Sequence, residues 1–134
     1  MAIQYSTTHR TNAMTDIATQ AGVNAVIKIF SGAQPATCVT ADSGTMLVTF
    51  AGNATQFGTA SAGVLTASAV ANATAAATGT AGYFRVYPNA ATTTNAVFQG
   101  TVGLSGTDMI VTNTSIAVSQ TCTFTSMTVT AFGA

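Results

Sequence analysis

Gly82-Tyr83-Phe84-Arg85-Val86-Tyr87 is the stretch whose reading decides the fold. Its side chains alternate, Tyr83, Arg85 and Tyr87 to one side and Phe84 and Val86 to the other, which is the period of a β-strand. Runs of the same kind lie on both sides of it. Upstream are Val23 to Phe30, with Val26, Lys28 and Phe30 opposite Ala25, Ile27 and Ile29, then Met46 to Phe50 and Val64 to Ala69. Downstream are Val97 to Val102 and Met109 to Thr112. Turns rich in Gly, Ser, Asn and Ala separate them, among them Ser31-Gly32-Ala33-Gln34-Pro35, at spacings typical of antiparallel all-β domains.

The last segment, Ser115 to about Thr130, reads as one long, bent strand. Ile116, Val118, Cys122 and Phe124 share a parity that Met127 and Val129 reverse, so a β-bulge is predicted between Thr125 and Ser126. Such a strand crosses from one sheet edge to another in sandwiches. The Ala-rich stretch Ala69 to Thr80 is interleaved with Thr and Asn and predicts a strand end plus loop. No fixed period persists that would make it a solenoid.

One helix is predicted, over residues 8–21. Ser6, Thr7 and Thr8 can each cap it, Met14, Ile17, Ala18 and Ala21 recur on one face, and Gly22 stops it. The fold class is therefore mainly β, an antiparallel, jelly-roll-like β-sandwich with one short N-terminal helix. The 134 residues make a single domain, 1–134, with 1–7 a possible arm.

Composition narrows function by exclusion. Charged residues make up 4% of the chain, three basic and three acidic for a net charge of zero, and there is no glutamate. Arg10, Lys28 and Arg85 cannot neutralise a nucleic-acid backbone. No apolar run is long enough to cross a membrane, and the first residues lack a basic, then apolar, leader pattern. A chain so poor in charge is weakly protected against self-association, which predicts a life bound to neighbours. The apolar 48% is rich in Ala, and 26 Ala with 27 Thr predict a thin core.

Chemistry is sparse. His9 stands alone, and a triad would need Asp16, Asp42 or Asp108 beside an activated serine, with no Gly-x-Ser-x-Gly elbow present. Asp42 and Asp108 sit in turn contexts and read as turn caps. Cys38 and Cys122 lack metal-ligand spacing and cationic neighbours, and read as free structural thiols. Gly103-Leu104-Ser105-Gly106 reads as a hairpin loop, and sequons at Asn53, Asn72 and Asn113 are about as frequent as chance gives. No catalytic residue, cofactor or metal site is predicted. Tyr83, Arg85 and Tyr87, sharing a face, read either as a sugar-stacking or protein-contact patch or as an ordinary strand whose hydroxyls reach solvent. Met1, Ile3 and Tyr5 precede the helix with no partner pattern of their own and are read as contacts to a neighbour.

Several stretches, taken in order, resemble a known family. They are Met1 to Thr8 followed by the capped helix, Lys28-Ile29-Phe30-Ser31-Gly32 with Pro35, Thr40 to Thr45, Tyr83 to Tyr87, Gln99 to Gly103, and Asn113 to Ile116 leading into the Thr-rich last strand. The sequence resembles small virion structural proteins of tailed bacteriophages. The resemblance implies a capsid cement or decoration subunit on the outer face of an icosahedral head, bound to the major capsid protein and to copies of itself, assembled in the host cytoplasm and without catalytic residues. A tail or fibre component, or an adhesin-like carbohydrate-binding module using Tyr83, Arg85 and Tyr87, is the alternative on the same fold.

Overall fold

The computed structural model describes residues 3–52, 56–68, 70–89 and 91–133. Met1, Asn53 and Ala69, read above as an arm contact, a sequon and a strand end, lie outside the described residues.

The helix, α1, spans Thr7–Ala21. Ser6 caps it, its hydroxyl accepting from the His9 amide at 3.2 Å. At the other end Gly22, at φ +70, donates back to the Ala18 carbonyl. Its stripe lies on a small cluster of Met14, Ala60, Leu65 and Ala131, flanked by Ile17 and Ala18. A further tie is the Thr11 hydroxyl, which accepts from the Gly63 amide at 3.0 Å.

Ten strands follow in chain order: β1 (Val26–Ser31), β2 (Met46–Ala51), β3 (Val64–Thr66), β4 (Ala73–Thr74), β5 (Gly79–Tyr87), β6 (Phe98–Gly103), β7 (Met109–Val111), β8 (Ser115–Ile116), β9 (Thr121–Cys122) and β10 (Phe124–Thr130). The main sheet runs β2-β1-β5-β6-β7-β10-β3, with β8 also on β5, and β4 pairs with β9 separately. The sheet curls into a half-barrel, a sandwich-like arrangement with the main core packed on one face. Ile27, Ile29, Val48, Phe50, Phe84, Val86, Met109, Phe124 and Met127 all join that core. One helix on a curled, mainly β frame is the class the alternation predicts.

Besides β4, which pairs with β9 inside the stretch read as a strand end plus loop, two segments depart from the sequence reading. Ser115 to Thr130 is three strands, because residues 117–120 form a turn: the Gln120 amide donates to the Ala117 carbonyl, and the Gln120 side chain accepts from the Ala117 amide. Val118 is thereby turned outward, 57% exposed. The bulge is present, as a register shift between Phe124 and Ser126 against β7 that lets Phe124 and Met127 both face the core. The second departure is the Gly103–Gly106 loop, which does not close a hairpin, for β7 lies parallel to β6. The Asp108 carboxylate accepts from both the amide and the hydroxyl of Thr101, each at 2.8 Å, folding the chain back beside β6 in the same direction. Asp108 clamps two strands rather than capping a simple turn.

Between β1 and β5 the register shifts where Phe30 faces Tyr83 and Ser31 faces Ala81, leaving Gly82 as the extra residue. A side chain at Gly82 would collide with the Gly32 carbonyl, a backbone atom that cannot step aside. Gly82→Ala is therefore expected to cost about 3 kcal/mol or more in chemical denaturation. A wild-type midpoint in that variant would refute this account of the bulge.

Candidate contact surface

The side chains of β5 that point away from the core are Tyr83, Arg85 and Tyr87, and none is exposed. In register beside them lie Phe30, Lys28 and Val26 on β1, and Gln99 on β6 faces Arg85. Over this face lies a strap, residues 32–44. Its ends are closed by Ser31 and Thr45, the Ser31 amide donating to the Thr45 carbonyl and the Thr45 amide to the Ser31 hydroxyl, both at 3.0 Å. The reading of Tyr83, Arg85 and Tyr87 as an outward contact or sugar-stacking patch is thus corrected. The chain covers them with its own strap, because this face is rich in donors and the strap supplies carbonyls.

Arg85 is the centre of the arrangement. Its Nε donates to Gln99 Oε1 (2.9 Å), Nη1 to the Thr40 carbonyl (2.7 Å) and Asp42 Oδ1 (3.0 Å), and Nη2 to the Thr37 carbonyl (2.9 Å). Gln99 in turn donates to the Pro35 carbonyl, and the Tyr83 hydroxyl to the Ser43 carbonyl at 2.6 Å. The Tyr87 hydroxyl donates to Asp42. Lys28 Nζ lies 4.9 Å from the centre of the Tyr87 ring and donates to the Thr92 carbonyl at 2.8 Å. Asp42, read as a turn cap, is instead the anion of a largely buried ion pair.

Burial opposes the charge on Arg85, but hydrogen bonding and charge from Tyr87, then from Asp42, outweigh it and hold its pKa above the ordinary value. Burial, reinforced by the bond to Asp42 and opposed by Arg85, pushes the Tyr87 phenol up to about 12. The thiols are free and packed apart, Cys38 beside Val26, Tyr87 and Ala96, and Cys122 in the main core, where burial pushes its pKa up. Among the described residues no group of three or more His, Cys, Asp and Glu gathers as metal ligands, and no helix is long and apolar enough to cross a membrane.

These contacts withdraw charge from the exterior. Lys28 and Arg85 are buried, Asp42 is paired with Arg85 and Arg10 is half-buried. Asp16 and Asp108 are the charged side chains left on the exposed surface. Much of what the protein offers a partner is therefore neutral.

The largest aromatic feature on that surface is a corner formed by residues 3–10 and 131–133. The Tyr5 amide donates to the Gly133 carbonyl at 2.9 Å. Its ring stacks on His9 at 4.9 Å and meets Phe132 edge-on at 6.1 Å. Between them opens a cleft of about 110 Å³, walled by Tyr5, His9 and Phe132 and floored by Met14 and Ala131. Arg10 borders it, with a buried Nε–H that has no partner among the described residues. Phe132 is 82% exposed and Ile3 76%. Tyr5, read as an arm contact, thus turns back onto its own chain, whereas Ile3 stays in solvent. Sequence reasoning missed Phe132 and Arg10 here. The available signal was a phenylalanine beyond the end of the last strand, with no alternation to place it inside.

Arg85→Met leaves the Thr37 and Thr40 carbonyls without their donor and Asp42 with the Tyr87 hydroxyl but no cation, and is expected to cost about 3 kcal/mol, with Asp42→Asn in the same chain restoring part of it. Equal stability of wild type and Arg85→Met in denaturant titration would remove Arg85 from this role. For Tyr87 the folded pKa lies above the unfolded one, so its contribution is whole below about pH 10 and is lost as pH rises through about 12. Tyr87→Phe should abolish this alkaline component of the unfolding profile, and an unchanged profile would contradict it.

Compared with known proteins, the chain matches no family model, no curated protein and no solved structure.

Proposed function

We propose that this chain is a non-enzymatic structural subunit of a tailed-phage virion, a cement or decoration protein that binds the outside of the head and stabilises the shell. The observation that carries the reading is the disposition of charge, for the cations that could attract an anionic ligand are mostly spent inside the fold. A neutral exterior rich in Ala and Thr suits seating between neutral neighbours, where desolvating charge would cost binding energy. The corner with Ile3, Tyr5 and Phe132 adds apolar surface of the kind that marks protein contacts. Its partners on this reading are the major capsid protein and further copies of itself. The carbohydrate-binding alternative drew its ligand face from Tyr83, Arg85 and Tyr87, all of them buried.

Attachment built on apolar and backbone contacts depends weakly on salt, since screening acts on exposed charge pairs. Particles washed from low to high salt are expected to retain the full-length protein and to lose a version lacking residues 1–7. Release of the full-length protein as salt rises, with truncation changing nothing, would defeat this mode of binding. Cryo-EM of the same particles should place copies on the outer face of the head, and copies confined to the tail would transfer the subunit there.

A further inference from the structure

We propose that the corner cleft is a self-association site, receiving Phe132 of a second copy of this chain while donating its own Phe132 to that copy's cleft. The inference rests on reading the chain as an assembly subunit, and it names one contact that such a subunit makes.

Knob and hole occur in one patch. Phe132 stands 82% exposed on the wall of a cleft of about 110 Å³. An enclosed apolar void of about 150 Å³ takes up benzene, so an open cleft of this size holds the greater part of a phenyl ring. A patch that carries both protrusion and receptacle meets the condition for an isologous two-fold contact, in which each copy gives what it receives.

The polar chemistry is consistent with the same occupant. The charged side chain on the cleft's border is Arg10. An incoming Phe132 arrives with main-chain carbonyls, and the residues around it, Ala131 and Gly133, are uncharged. A chain of net charge zero also meets little long-range repulsion from its copy.

One cleft and a few aromatic side chains fall short of the roughly 800 Å² per partner of a stable complex. The contact is accordingly weak between free molecules and gains its effect where neighbours are already held close, as in a repeating array.

The test is a concentration series of the full-length protein by NMR and sedimentation, extended to about millimolar because a contact of this size is weak. Amide shifts that move with concentration are expected at Ile3, Tyr5, His9, Ala13 and Phe132. Both Phe132→Ser, which removes the knob, and Ala13→Gln, which fills the hole from an exposed helix position, should abolish them while the remaining spectrum stays folded. No concentration dependence in the wild type, or association that survives both substitutions, overturns the proposal. Particle binding separates the two readings. A wild-type protein that coats heads without self-associating leaves the decoration function and removes this contact, and one that self-associates through the cleft but is missing from heads does the reverse.

Discussion

A guanidinium set into the central strand of a sheet cannot be left without acceptors, and much of this structure is the answer to that demand. Arg85 carries five N–H donors on a fully buried side chain, on the strand with which β1 and β6 both pair. Its own sheet offers Gln99 and the Tyr87 hydroxyl. The remaining acceptors come from the strap, through the carbonyls of Thr37 and Thr40 and the carboxylate of Asp42. The strap holds no regular secondary structure and has little apolar surface to bury, so these bonds, with those of Gln99 and Tyr83, are what seat it. Removing the donor would undo a layer of the protein, not a single contact.

That layer also explains the character of the surface. In most domains charge faces water and the apolar residues lie beneath. Here Lys28 and Arg85 are folded inward against aromatic rings and carbonyls, and the outside is left to Ala, Thr, Ser and Gly. An exterior of this kind solvates adequately through hydroxyls and amides but sets no strong field, so recognition has to come from shape and apolar fit. The corner of Tyr5, His9 and Phe132 is where such fit is available.

The alternation of Tyr83 to Tyr87 was enough to read the central strand and the parity of its two faces, and the spacing of Met14, Ile17, Ala18 and Ala21 enough to read the helix. The change of parity in the last segment located the bulge near Ser126. What alternation could not say is which face of β5 is covered. Period 2 separates two faces without naming the one in water, and both here are buried, one by the core and one by the strap. The clue lay elsewhere, in a long segment without periodicity next to a strand that contains an arginine. Loops of that length are uncommon unless they cover something. The parallel pairing of β7 was illegible for a similar reason, because it depends on Asp108 reaching Thr101, a contact between side chain and backbone that leaves no hydrophobic pattern. The corner cleft joins residues far apart in the chain, and no local period records it.

The hydrogen bond from Tyr5 to Gly133 has a consequence for connectivity. It brings the first and last described stretches side by side, so that the path of the backbone comes close to a ring. In a ring the point at which the chain is opened is a matter of genetics rather than of architecture. A short linker between these stretches, with new termini in the exposed turn at Leu104-Ser105-Gly106, would keep the strand order, the strap and the helix in place. The corner where Ile3 and Phe132 meet solvent would then be bridged by the linker, and the chain would be open in the loop between β6 and β7.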